Sequence, residues 1–316
     1  VPWWFFRRKS AAAPTSHSQQ LPDAPSPARP RSWAGEVTLP SRADAEERRY
    51  LEEQPYLLPK DLKEVNRLDF QHYILRAILR RNYLAPLQEQ ATRQILDVGC
   101  GTGQWAYEVA KEFPQASVVG LDVEQAKNSV SPPPNYRFVQ GDALNGLPFN
   151  DNTFDFVHQR FLTAALPLPA WPQVVRELVR VTARGGWVEL LEASTEIAPV
   201  GPATQRVLTM TLQLTALRGL DGSGEVARSL DRYLREAGLV QVQRHDIEVP
   251  LGDWGGRIGS LLALDFREVG TALSGAVVRR FQMAPPEYQA LLDAVFQECN
   301  QLKTMYRFVA AYGQKP

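Results

Sequence analysis

A doubly wound α/β fold, with a seven-stranded sheet, helices ahead of it and a helical insertion near its end, is what this sequence predicts. Three observations carry that expectation. From Gln94 onward, short apolar segments alternate with amphipathic helical ones, the pattern of a parallel sheet covered on both faces. The first of these segments runs straight into a glycine-rich loop and then a helix. Helical periodicity also precedes the first strand and rises again after Glu192, so extra helices lie beside the sheet.

The chain has 316 residues, enough for one large α/β domain with appendages. Lysine plus arginine equals aspartate plus glutamate at 35 each, which gives no general attraction to nucleic acid and argues against it as a partner. Two cysteines, Cys100 and Cys299, supply neither a disulfide framework nor a Cys/His zinc spacing. No metal is therefore expected, and a reducing cytoplasm is the expected location. No apolar run approaches the ~20 residues of a membrane-spanning helix.

Residues 1–40 read as a disordered tail, because an Ala, Pro, Ser and Gln rich stretch with few aliphatics cannot offset its ordering entropy. Its first nine residues, Val-Pro-Trp-Trp-Phe-Phe-Arg-Arg-Lys, place aromatics beside positive charges, a composition that also suits peripheral contact with a membrane surface. Residues 41–87 read as a helical cap. A capped helix starts over Ser41–Tyr50, and a second runs from about Leu62 to Asn82 on Val65, Leu68, Tyr73, Ile74 and Ile78. The main domain spans 88–316.

Within it, strands are expected at Gln94–Val98, Ser117–Leu121, Tyr136–Gln140, Phe154–Gln159, Gly186–Glu192, Val240–Val249 and Met305–Tyr312. Helices are expected at Gly103–Phe113, Trp171–Val181, Pro202–Leu217 and Gly224–Ala237. A helical insertion over about 254–303 precedes the last strand, a natural place for a substrate lid.

The chemistry begins at Asp97-Val-Gly-Cys-Gly-Thr-Gly103. Gly99, Gly101 and Gly103 permit positive φ and remove Cβ atoms, so the backbone can approach a ligand closely. The helix that follows offers unpaired N–H groups. The loop reads G-x-G-x-G after an acid, not the dinucleotide G-x-G-x-x-G. Asp97 would sit badly beside a pyrophosphate and well beside an ammonium group.

This segment resembles the first motif of class I methyltransferases that depend on S-adenosyl-L-methionine (SAM), enzymes with a Rossmann-like fold. Further likenesses follow in order. Gly120-Leu-Asp122 resembles the end of the second strand, where the family binds both ribose hydroxyls with an acid. The resemblance thus assigns Asp122, with Val123 after it, to the cofactor. Gly141-Asp142-Ala143 resembles the motif that reads the adenine edge through its acid and the next amide, which implicates Asp142 and Ala143. Phe154 to Gln159 resembles the fourth strand, and Gln159 falls at the carboxyl end, where α/β sites form. The family's last strand is antiparallel, and the same is expected of Met305–Tyr312. A narrower likeness, over Tyr56 to His72, His158 to Leu162 and Gly185 to Glu189, is to small-molecule methyltransferases that include those of fungal secondary metabolism. It implies that the helices before the domain fold over the cofactor.

The catalytic residue is not identified by these motifs. His158 near the end of the fourth strand, His72 on the covering helix, and Glu189 and Glu192 near the end of the fifth are the weaker candidates for a general base, needed only where the acceptor must lose a proton. The expected function is methyl transfer from SAM to a small, partly apolar molecule through oxygen, nitrogen or carbon. The alternative is a SAM-binding regulatory or scaffold protein, or an enzyme that uses SAM without methyl transfer.

Overall fold

Alternating apolar segments leave the chain no way to bury its strands except in a sheet covered on both faces. In the computed structural model, which describes residues 55–56, 58–59, 61–126 and 130–316, seven strands form one sheet. They are β1 (Gln94–Val98), β2 (Ser117–Asp122), β3 (Tyr136–Gln140), β4 (Phe154–Arg160), β5 (Thr182–Ala198), β6 (Val240–Pro250) and β7 (Met305–Gln314), in the order β3-β2-β1-β4-β5-β7-β6. Neighbouring strands from β3 to β5 pair in parallel, while β7 runs antiparallel to both β5 and β6. The order reverses direction at β1 and β4, so the crevice above their carboxyl ends is where a doubly wound sheet accepts a ligand. The expected tail, its aromatic tip at residues 1–9 and the helix start at Ser41–Tyr50 lie outside the described residues.

Three helices cover the sheet. On one face α2 (Gln104–Glu112) packs Trp105, Ala106 and Val109 against Ile95, Val118 and Phe156. On the other, α3 (Trp171–Val181) and α5 (Glu225–Glu236) bury Val174, Leu178, Leu230 and Leu234 against Leu96, Val98, Val157 and Leu190. Ile95 and Leu96 thus point to opposite faces, as the two-residue period of a strand requires.

A third core sits over the ends of β5, β6 and β7, around Leu191, Val249 and Phe308. It joins α1 (Leu62–Leu79) and α4 (Pro202–Ala216) to α6 (Gly256–Ala272), α7 (Ser274–Phe281) and α8 (Pro285–Leu302). The expected insertion is therefore three helices. Asp61 caps α1 by accepting from the Glu64 amide, and Arg80 at φ +58° ends it, three residues short of Asn82. The largest departure is β5, expected over Gly186–Glu192 and observed over 17 residues. Its extension past Glu192 comes from a partner distant in sequence: β7 pairs with it from Trp187 to Ala198, with an irregularity between Ala193 and Ile197.

Candidate cofactor and acceptor site

Above the carboxyl ends of β1 to β4 lies a cavity of roughly 510 Å³, within the range of small-ligand sites. Its floor is the loop after β1. Gly99 and Gly101 hold φ of +70° and +55°, a region that L side chains rarely enter. A Cβ on Gly99 would stand 2.5 Å from Leu162 Cδ2, so a side chain there would have to displace Leu162 as well as hold a strained φ. The Gly99 and Cys100 amides donate to the Leu121 carbonyl at 2.8 and 3.0 Å, and the Gly101 amide donates to Asp122 Oδ2 at 2.9 Å. Asp122 thereby ties the end of β2 to the glycine loop while facing the cavity.

Gly99, Gly101, Asp122, Val123, Asp142 and Ala143 all line this cavity. Asp142 also shapes its own turn. Its Oδ1 accepts from the Leu144 amide at 2.9 Å and its Oδ2 from Asn145 Nδ2 at 3.2 Å, capping a short 3-10 helix. Three other expected residues stand away from the wall. Gly103, at φ +81°, precedes the first turn of α2 and faces the Tyr107 ring. Gln159 is fully buried, and neither amide atom has a hydrogen-bond partner among the described residues. Asp97 is 2% exposed and engages His158 Nδ1 through Oδ1 at 2.9 Å.

That last contact follows from register. Asp97 of β1 and His158 of β4 are direct partners in the parallel ladder, so their side chains share a face. The imidazole also lies flat on Trp105, with centroids 3.8 Å apart and planes 6° apart, and the indole Nε1 donates to the Asn82 carbonyl at 2.7 Å. Burial holds His158 below the usual histidine range against the pull of Asp97.

The remaining base candidates are equally enclosed. Glu192 accepts from the amides of Leu162 and Thr163 at 2.8 and 3.2 Å, and from Thr163 Oγ1 at 2.6 Å. It holds the turn in which Phe161 takes φ +56°. Glu189 accepts from the amides of Leu84 and Ala85 at 2.7 and 2.6 Å, fixing the segment after α1. Burial pushes both carboxyls up to about 7. His72 is buried on α1, and desolvation together with the charge of Arg160 brings it down to about 4. None of His72, His158, Glu189 and Glu192 is among the residues that line the cavity.

The expected roof is present, and its individual lining residues are what the sequence did not mark. Helix α1 contributes Leu62, Glu64, Val65, Leu68 and Gln71, with Tyr56 and Asp61 just before it. The Leu68 methyl sits 3.7 Å from where a Gly101 Cβ would be. The likeness over Tyr56 to His72 was the signal for this roof, without the individual positions. No residue of 254–303 lines the cavity; instead α6 braces α1 from behind. Arg67 Nε and Nη2 donate to Glu64 at 3.0 and 2.7 Å while its Nη1 donates to Asp265 Oδ1 at 3.0 Å, and Gln71 Nε2 reaches Asp265 Oδ2 at 3.2 Å. Arg160, which follows Gln159 at the end of β4 and was given no role by the motifs, does line the cavity.

The electrostatics of the wall are uneven. Among the described lining residues Asp61, Glu64, Asp122, Glu124 and Asp142 are acidic, and Arg160 alone is basic. Glu64 is offset by Arg67, and Arg160 is the wall group suited to an anionic part of a ligand. Leu62, Val65, Leu68, Phe161, Leu162 and Leu166 complete it with apolar surface. Among the described residues, no group of three or more His, Cys, Asp or Glu could hold a metal ion.

Comparison with known proteins agrees with this geometry. A family model described as a methyltransferase domain matches residues 95–186. Methyltransferase pytC of Aspergillus terreus is 29% identical over 275 residues, 83% of each chain. N-methyltransferase sirN of Leptosphaeria maculans is 28% identical over 277 residues, 84% of this chain and 96% of its own. The secondary metabolism regulator laeA of Gibberella zeae is 34% identical over 242 residues, 68% of this chain and 75% of its own.

Proposed function

This chain belongs to the class I SAM-dependent methyltransferases, in the subgroup that holds those of fungal secondary metabolism, and from that premise we propose a small, partly apolar molecule as its methyl acceptor. Its cofactor is SAM, which supplies an electrophilic methyl carbon on a sulfonium. The single observation that carries the acceptor class is that the cavity over the glycine loop is closed by the apolar residues of α1 and of the turn after β4.

The residues present fit the cofactor. A Cβ at Gly99 would collide with Leu162, so the loop keeps a bare backbone at the cavity floor, and the acidic wall suits a sulfonium and an ammonium group. In this reading Asp122 holds the ribose hydroxyls and the Asp142–Ala143 turn reads the adenine edge. The enclosed positions of His158, His72, Glu189 and Glu192 support transfer driven by alignment, without a general base drawn from these four. The acceptor's nucleophilic oxygen, nitrogen or carbon then attacks in line. In this reading α1 and the segment after it cap a catalytic domain of 88–316, and the rest of the expected 41–87 cap lies outside the described residues.

We place the enzyme in the cytoplasm because Cys100 and Cys299 form no disulfide. Among the described residues no helix is long and apolar enough to cross a membrane. The name of the Gibberella zeae relative favours a second reading, a SAM-binding regulator.

Calorimetric titration with SAM and S-adenosylhomocysteine, with NADH as control, tests the cofactor contacts. Asp122→Ala should weaken SAM binding by about 10- to 100-fold, the worth of a charge-assisted contact; unchanged affinity refutes the ribose assignment. Transfer of labelled methyl groups to a panel of small apolar amines, phenols and acids tests the acceptor. Tight SAM binding with no transfer to any of them, or to a metabolite extract, would favour the regulator.

A further inference from the structure

Resting on SAM as cofactor, we propose that Arg160, seated on the unprotonated Nδ1 of His72, takes the methionyl carboxylate of the bound cofactor. Arg160 Nη2 lies 3.2 Å from His72 Nδ1. A guanidinium can only donate, so that nitrogen accepts and the ring's hydrogen sits on Nε2. His72 Nε2 in turn lies 3.3 Å from Glu108 Oε1, without the alignment of a hydrogen bond. Glu108 is also engaged by Arg76 Nε at 3.2 Å.

Each carboxylate that could have neutralised Arg160 is therefore committed elsewhere. Asp97, which shares its face of the sheet, bonds His158. Glu108 lies across His72. Among the described residues Arg160 has no carboxylate within ion-pair distance, and the one hydrogen bond of its guanidinium is to a neutral ring. Buried or half-buried charges in proteins are ordinarily paired. A guanidinium left with a neutral partner in a cavity wall is arranged to receive an anion, and its planar fork matches a carboxylate.

Charge and position both name that anion. SAM carries one carboxylate, and Arg160 is the one base among the described residues of the wall. In the sheet Gln159 is the register partner of Val98, so Arg160 stands beside Gly99 at the glycine loop. His72 is a positioning residue: a neutral acceptor that holds the fork without neutralising it. Burial and the neighbouring guanidinium keep its ring unprotonated at neutral pH.

The test is a pair of titrations by calorimetry on the full chain, with SAM and with decarboxylated SAM, which keeps the sulfonium and ammonium groups. Wild-type protein should prefer SAM by about 10- to 100-fold, the worth of a charge-assisted pair. Arg160→Met should remove most of that preference by weakening SAM, with the decarboxylated ligand changed by less than about threefold. Arg160→Lys should keep part of it, and His72→Leu should reduce it although the arginine remains. If Arg160→Met does not fold, the wild-type preference and Arg160→Lys carry the decision. Equal wild-type affinity for the two ligands, or equal weakening of both in Arg160→Met, overturns the proposal. So does unchanged SAM affinity with lost transfer to acidic acceptors, which would assign the guanidinium to an acceptor carboxylate. Wild-type protein that binds neither ligand overturns the cofactor contacts as well.

Discussion

Replacing His158 by phenylalanine separates a structural role from a catalytic one. The new ring can keep the stack on Trp105, where the imidazole now lies at 3.8 Å. What is lost is the 2.9 Å hydrogen bond to Asp97, between side chains 2% and 3% exposed. Asp97 then remains buried without its donor. Removing one partner of such a pair costs about 3 kcal/mol, because the carboxylate keeps its desolvation penalty and loses its compensation. For a chain of 316 residues that lowers Tm by roughly 4–6 °C. His158→Phe combined with Asp97→Leu should recover much of the loss, since an apolar pair leaves no unpaired charge. Urea unfolding followed by circular dichroism reads wild type and both variants, and labelled methyl transfer reads the survivors. A single variant as stable as wild type would refute the energetic reasoning. A double variant that folds and binds SAM but transfers no methyl group would put His158 in the chemistry.

Arg67→Met should destabilise the protein by about 3 kcal/mol, since it withdraws one guanidinium from Glu64 and Asp265, both nearly buried. Because Glu64 belongs to the cavity roof, SAM affinity should fall as well, and a variant with normal affinity would show that α1 needs no brace. Acidification should act through His72, whose pKa falls from 6.5 to about 4 on folding. A lowered histidine pKa means that below pH 6.5 the unfolded chain gains protons the folded one refuses, so stability falls as pH drops through that window. The loss at pH 5 is about 2 kcal/mol from this residue. Glu189 and Glu192, raised to about 7, act with the opposite sign, losing stability as pH rises from about 4.5. Urea unfolding of wild type and His72→Gln at pH 7 and pH 5 isolates the histidine, because the glutamates are common to both. An equal change in the two proteins would show that His72 is not held neutral.

The amino-acid sequence by itself determined the parts of this protein written in short windows. The run from Gln94 to Gly103 sets strand, loop and helix together, because a buried strand needs consecutive apolar residues and a positive φ needs glycine. The acid that ends β2 lies about twenty residues further on, and Asp122 accepts from the Gly101 amide. Periodicity likewise found the helices of 254–303 without locating their breaks.

Tertiary structure decided what depends on residues far apart in the chain. Asp97 and His158, 61 positions apart, become partners because β1 and β4 are neighbours in the sheet, a fact of strand order that no local pattern encodes. Asp97, legible as a partner for a ligand's ammonium group, is instead turned to the side of the sheet under Trp105. The length of β5 depended on β7, and the brace on α1 on an aspartate 198 residues away. The same holds for Arg160 and His72, joined across 88 positions. A side chain's charge can be read from its letter; whether that charge is neutralised is settled by which distant groups packing brings within reach.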